Sequence, residues 1–200
     1  DYFDSTKSES SISFVALKKY LQETQKIEKL HFLEAPTSLF DDTSMALDTT
    51  TLRSLEVLRG LADEESPSLF KSLNHCQTPM GRRTLKEWLT RPSTELNVIE
   101  ERQNAVRALL SSPGIQETLV SQLSTIRDLE RLTTKAALGL AMPRDLVGIK
   151  AVLKQIPEIQ KCLKEAKAPL FRKFIKRLDP LQDLTKELEN ALEDFPPATL

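Results

Sequence analysis

The sequence predicts an all-α fold, an irregular helical bundle with at most one short strand near 44–47. Three observations predict it. Apolar residues recur every three to four positions along most of the chain, as they do on one face of a helix. Only 5 of 200 residues are glycine, which favours helices over turn-rich sheets. Of the 11 prolines, Pro79, Pro92, Pro113, Pro143, Pro157, Pro169 and Pro180 fall at joins between periodic segments, where a residue without an N–H starts or stops a helix.

After a Ser-rich leader over 1–10, Phe14, Leu17, Tyr20 and Leu21 mark a first helix over about 10–26. Periodicity is lost from Ile27 to Leu47, where Pro36 interrupts and Ser44-Met45-Ala46-Leu47 is the one stretch able to pair as a strand. Asp48 caps the next helix, expected over about 49–59 with Leu52, Leu55 and Leu58 on one face and Gly60 as its stop. Asp63-Glu64-Glu65 reads as a solvated loop, followed by a short apolar turn at Leu69, Phe70 and Leu73. Thr78 then caps and Pro79 opens a helix whose buried stripe is Leu85, Trp88 and Leu89, with the Trp88 indole as core filler and Arg91-Pro92 as the end.

A longer helix over about 94–110 is expected to bury Ile99, Val106 and Leu109, and Ser112-Pro113 repeats the cap-then-proline start for one carrying Leu119 and Leu123. Asp128 begins a segment with Leu129, Leu132, Ala136 and Leu140. Pro143 begins another with Leu146, Ile149, Leu153 and Ile156, which Pro157 breaks or kinks. Two shorter helices follow near 169–178 and 180–193. No self-similarity at 20–50 residues is visible, so a helical solenoid is not supported.

Composition excludes several classes of function. The net charge is -1, which gives the chain as a whole no pull on a polyanion. The charge is uneven, with 7 basic and 13 acidic residues over 1–65 and 21 and 16 over 66–200. Cys76 and Cys162 are far apart and lack Cys-x-x-Cys spacing, which suggests a reducing, intracellular compartment and no zinc site. No apolar run reaches the ~18–20 residues of a bilayer span. His31 and His75 have no His or Cys partner at ligand spacing, and Glu100-Glu101 and Glu64-Glu65 are adjacent acids that do not face each other. There is no Gly-rich phosphate loop and no nucleophile elbow. Lys161, Lys164, Lys167, Arg172, Lys173, Lys176 and Arg177 form the one basic cluster that could meet phosphates, weakly supported because Phe171 and Phe174 are expected to face the core. The chain begins without Met and ends in Pro196-Pro197-Ala198-Thr199-Leu200, which reads as an excised fragment.

Met45-Ala46-Leu47-Asp48-Thr49-Thr50-Thr51-Leu52-Arg53-Ser54-Leu55-Glu56 resembles the MutS family pattern M-x-L-D-x-x-T-x-R-N-L-E, with Ser54 for Asn as the one departure. Thr78-Pro79-Met80-Gly81-Arg82-Arg83-Thr84-Leu85-Lys86-Glu87-Trp88-Leu89 is similar to the family's T-P-M-G-x-R-x-L-x-x-W-L, the most specific of the matches. Arg102-Gln103-Asn104-Ala105-Val106, Asp128-Leu129-Glu130-Arg131-Leu132 and Pro143-Arg144-Asp145-Leu146 follow in the family's order.

The resemblance covers 11–200 and implies the N-terminal part of the family's core, or lever, domain (domain III), with 1–10 as the end of a preceding connector and Phe195-Pro196-Pro197 just before the clamp insertion. It implies a parent that binds mismatched double-stranded DNA, hydrolyses ATP with Mg and forms a homodimer or related dimer in the cytoplasm. This segment would itself hold no cofactor, catalyse nothing, bind DNA weakly when alone and meet no membrane. Asp48, Thr51, Arg53, Thr78, Pro79, Gly81, Arg83 and Trp88 then read as structural motif residues. Asp48 and Thr78 cap, Gly81 permits close helix approach, and Arg53 and Arg83 pair with acids across joins. Helices that pack on absent parts of the parent should expose apolar stripes, foremost along 143–165 and 180–193. The reading from another class is a free-standing helical adaptor that binds a protein partner.

Overall fold

The computed structural model describes residues 8–26, 43–62, 66–193 and 196. His31, the acidic stretch 63–65 and Phe195 lie outside the described residues. The chain divides into two compact units, Asp1–Asp41 and Asp42–Leu200. In the first, α1 (Ser8–Gln25) matches the expected helix, with Phe14 and Leu21 half-buried and Thr24 Oγ1 donating to the Tyr20 carbonyl at 2.8 Å.

The second unit holds nine helices among the described residues: α2 (Thr49–Ser54), α3 (Leu69–Leu73), α4 (Pro79–Thr90), α5 (Leu96–Leu110), α6 (Pro113–Ser124), α7 (Leu129–Ala137), α8 (Pro143–Glu165), α9 (Pro169–Arg177) and α10 (Gln182–Ala191). The expected strand at 44–47 is reduced to a single antiparallel bridge between Ser44 and Ser93. There the Met45 N–H donates to the Pro92 carbonyl at 2.7 Å and the Thr94 N–H to the Thr43 carbonyl at 2.9 Å. The fold is therefore all-α, as the spacing of apolar residues requires.

The helix that α8 forms organises everything around it. Its 23 residues bury Gly148, Ile149, Val152, Leu153, Ile156, Cys162 and Leu163 among others. Its first half joins Leu132 of α7 in one apolar cluster, against which Leu146 and Leu188 of α10 pack. Its second half joins Ala105 of α5 and Phe171 of α9 in another, backed by Ile115 and Leu119 of α6. Leu178 touches both clusters. Gly148 allows α7 to come close, because a Cβ there would lie 3.1 Å from Leu132 Cδ1 and 2.8 Å from Arg127 Nη1.

Several expectations are corrected. The helix opened by Asp48 stops at Ser54 instead of 59, because Glu56 turns left-handed (φ 49°) and the Glu56 and Val57 carbonyls accept the Leu69 and Phe70 N–H groups at 3.0 and 2.9 Å. Gly60 is no helix stop: a Cβ there would sit 2.2 Å from the Ser66 Cβ, so glycine is needed for close approach of the chain. Pro157 does not break its helix, which runs on to Glu165 because both halves are held in apolar clusters. Ser112 makes no side-chain cap, although Pro113 opens α6 as expected. On the segment begun by Asp128 the helix ends at Ala137, and Leu140 lies exposed beyond a left-handed Gly139.

Burial is where periodicity misleads most. Val106 is 56% exposed while its neighbour Ala105 is buried, because α5 turns its small residues to α9. Phe171 is buried but Phe174 is 41% exposed, its ring tilted at 6.5 Å from that of Phe171. The apolar stripe expected along 143–165 is not exposed, since α8 is the central helix; along 180–193, Leu181 and Leu184 are exposed.

Leu153→Ala should destabilise the chain by about 2–5 kcal/mol through the cavity it leaves, and Gly148→Leu by about 1–3 kcal/mol through overpacking against α7. Val106→Ala, by contrast, should change stability by no more than about 0.5 kcal/mol. Urea unfolding of the three variants checks the order, and a Val106 effect as large as that at Leu153 would refute the assigned burial.

Candidate functional site

The motif residues fix helix starts. Asp48 Oδ1 accepts the Thr51 N–H at 2.6 Å, and this backbone bond is the main reason its carboxyl is held below the usual carboxylate range. Thr78 Oγ1 accepts the Gly81 N–H at 3.0 Å with Pro79 at the first helical position, where a missing N–H costs nothing. The reading of Gly81 as a point of helix–helix approach is corrected here. A Cβ at Gly81 would meet its own cap, Thr78 Oγ1, at 2.9 Å, with Cys76 next at 3.8 Å.

Arg83 carries a bond that crosses the unit from motif to motif. Its guanidinium donates from Nη1 and Nη2 to both oxygens of Asp128, at 2.9 and 2.7 Å, and Nη2 also pairs with Glu130. Asp128 is the N-cap of α7, accepting the Arg131 N–H at 3.4 Å. One carboxylate thus starts α7 and ties it to α4. Two parallel N–H···O bonds are a geometry only arginine supplies, and they fix orientation as well as distance. The fork with Arg83 holds the Asp128 carboxyl below its usual range and pushes Arg83 above its own. Arg53, by contrast, has no acid partner among the described residues.

Trp88 is 40% exposed and is not a core filler. The guanidinium of Arg102, on α5, lies 3.7 Å from its ring centroid, so the indole face holds α4 to α5 by a cation–π contact. Asp145 closes a further join: it accepts the Met142 N–H at 3.1 Å and receives Lys135 Nζ at 3.1 Å. These two bonds, the backbone one foremost, lower its carboxyl.

The basic candidates are exposed, Lys161 and Lys164 on α8 and Arg172, Lys173, Lys176 and Arg177 on α9. Lys173 is already paired with both oxygens of Glu101 on α5. No aromatic face other than Phe174 stands exposed beside them on α9.

The sequence reading missed Arg102, Gly148 and the partners of Arg83. Asp128 and Glu130 were visible as acids at a helix start, but their shared partner, Arg83, lies 45 positions from Asp128.

His75 and both cysteines are placed among the described residues. No group of three His, Cys, Asp or Glu could hold a metal ion there. His75 and Cys76 are exposed, and Cys162 is buried with its thiol pushed up by burial. No described helix is long and apolar enough to cross a membrane.

Asp48, Asp128 and Asp145 all sit below the ordinary 3.8 in the folded chain, so each favours folding above that pH and loses this contribution as pH falls through its lowered value. Stability should therefore drop below about pH 4. In urea unfolding at pH 7 and pH 3, Asp128→Asn should lose less between the two pH values than the unchanged chain does; an equal loss would remove Asp128 from the account.

Residues 50–200 match the family model described as MutS domain III. Among curated relatives, the DNA mismatch repair protein MutS of Methanothrix thermoacetophila is 37% identical over 187 residues, 92% of this chain and 22% of the relative. The proteins of the same name from Bacillus subtilis and Thermotoga neapolitana are 34% and 35% identical, over 94% and 92% of this chain and 22% of each relative. The chain thus spans 22% of the length of these relatives. From Thr50 onward, α8 and both clusters included, the helices lie in the matched region, and the chain belongs to the MutS family, in its domain III.

Proposed function

We propose that this chain is the mechanical link inside a DNA mismatch repair protein. The parent binds mismatched double-stranded DNA, hydrolyses ATP with Mg and works as a homodimer or related dimer, at sites outside this chain. Residues 11–200 serve as the N-terminal part of its core, or lever, domain, ending just before the clamp insertion. The work is intracellular, in the cytoplasm and at the nucleoid.

The observation that carries this reading is α8, one 23-residue helix built into both apolar clusters. A displacement that reaches either cluster moves the same rod, and a helix of that length spans about 35 Å. Arg83 adds a second tie, since its fork makes α7, one wall of the first cluster, follow α4. Coupling between distant sites of this kind typically amounts to roughly 1–3 kcal/mol. The basic cluster at 161–177 is left with a solvating role, and the chain alone binds duplex DNA weakly.

In the full-length protein, Arg83→Ala should lower mismatch-stimulated nucleotide exchange by about 2- to 30-fold while leaving mismatch affinity nearly unchanged, the range expected for a residue on a coupling route. Arg83→Lys, which keeps the charge and loses the fork, should fall in between. Asp128→Asn should add little to Arg83→Ala, because both remove the same tie. Unchanged exchange in Arg83→Ala, or full additivity with Asp128→Asn, would refute the link.

A further inference from the structure

Pro157 stands inside α8 where one packed body gives way to another. Ahead of it, Ile149, Leu153 and Ile156 belong to the cluster shared with Leu132 of α7 and backed by Leu188 of α10. Behind it, Leu163 belongs to the cluster shared with Ala105 of α5 and Phe171 of α9, and Ile159 packs on that cluster. Pro157 and Glu158 between them are exposed. Among the described residues, Leu178 at the end of α9 is the one side chain that packs on both clusters.

A proline inside a helix removes the bond to the carbonyl four residues back, here that of Leu153, and its ring crowds the same carbonyl. Helices bend at such turns, convex toward solvent. With Pro157 on the solvent side, a bend carries the two ends of α8 toward the clusters. Gln160, on the same helix just past the proline, opposes that bend. Its Nε2 donates to the Leu178 carbonyl at 2.7 Å and to the Ile175 carbonyl at 3.3 Å. Both carbonyls lie where the helical N–H partners of α9 run out, so the amide is their substitute. Through Leu178, which is seated in the first cluster, the amide ties the second half of α8 back to the body ahead of the proline. A bend must therefore break the amide bonds or unseat Leu178.

We infer that α8 is a latched hinge, with Pro157 as its bending point and Gln160 as the positioning residue that holds it straight. Latched, the α7–α10 body and the α5–α6–α9 body move together. Released, the second swings on the first about a single turn of helix. The hinge stands whether or not the chain serves as the link proposed above.

Hydrogen exchange of the full-length protein, without DNA or nucleotide, reads the latch. The helical acceptors for the amides of residues 158–161 lie four residues back, across or at the proline turn. In Gln160→Met, which keeps the length and loses the donor, exchange at 158–161 should rise at least about fivefold, as expected for the loss of two hydrogen bonds. The end of α9 should exchange faster as well. Pro157→Ala restores the N–H for the Leu153 carbonyl, so adding it to Gln160→Met should return 158–161 to the original rate or slower while the end of α9 stays fast. Should Gln160→Met fail to fold, Gln160→Asn, whose amide is one methylene short, takes its place and should give the same pattern at smaller size. A rise confined to α9, a rise at 158–161 that Pro157→Ala does not reverse, a rise spread evenly over the whole unit, or no rise would each overturn the hinge. Unchanged nucleotide exchange in Arg83→Ala bears on the link alone.

Discussion

The structure depends on the burial of α8. Among the described residues no other helix of the second unit is shared by both apolar clusters, and every helix from α5 to α10 packs on it directly or through a neighbour. Burial at roughly 25 cal/mol per Å² of apolar surface makes such a shared wall the dominant favourable contribution to the unit. The polar joins act differently. The Arg83 fork, the Trp88–Arg102 contact and the Lys135–Asp145 pair lie at the surface, where ion pairs contribute little to stability; the last orients two helices of one cluster, and the first two join α4, which is in neither cluster, to α7 and α5.

Helix starts were legible in the sequence because they are local. A cap is a bond from a side chain to an N–H three residues on, and Asp48, Thr78 and Asp128 each make it. Pro79, Pro113, Pro143 and Pro169 all open helices where they were expected to. The family itself was legible in the same capping strings, since a motif that fixes a helix start is written in consecutive residues.

Helix ends and burial were not legible to the same degree, for the opposite reason. The helix opened by Asp48 stops at Ser54 because residues 69 and 70 claim its outgoing carbonyls, a competition from 12 or more positions away that no local rule contains. Trp88 and Val106 obey the apolar period and still face solvent. The partner that decides their fate, Arg102 for the first and the small-residue contact of Ala105 with α9 for the second, sits on another turn or another helix. Pro157 was expected to break or kink its helix on intrinsic grounds; the helix runs on, because tertiary packing on both sides overrides a penalty of about 3 kcal/mol.

The position of Pro157 in α8 gives that override a mechanical meaning. Ile156 belongs to the first cluster and Ile159 packs on the second, so the proline stands at the seam. Lacking an N–H, it leaves the Leu153 carbonyl without its helical bond, and the rod is softest at this turn. A bond beside it compensates: Gln160 Nε2 donates to the Leu178 carbonyl at 2.7 Å and to the Ile175 carbonyl at 3.3 Å, pinning the far side of the seam to the end of α9. Leu178 in turn touches both clusters. The two halves of the rod are thus joined twice, once by helix backbone and once through the α9 terminus, so a bend at Pro157 cannot occur without moving Leu178. A helix with one soft turn and a parallel strap would suit the link proposed above, since a bend at the turn would strain the strap as well.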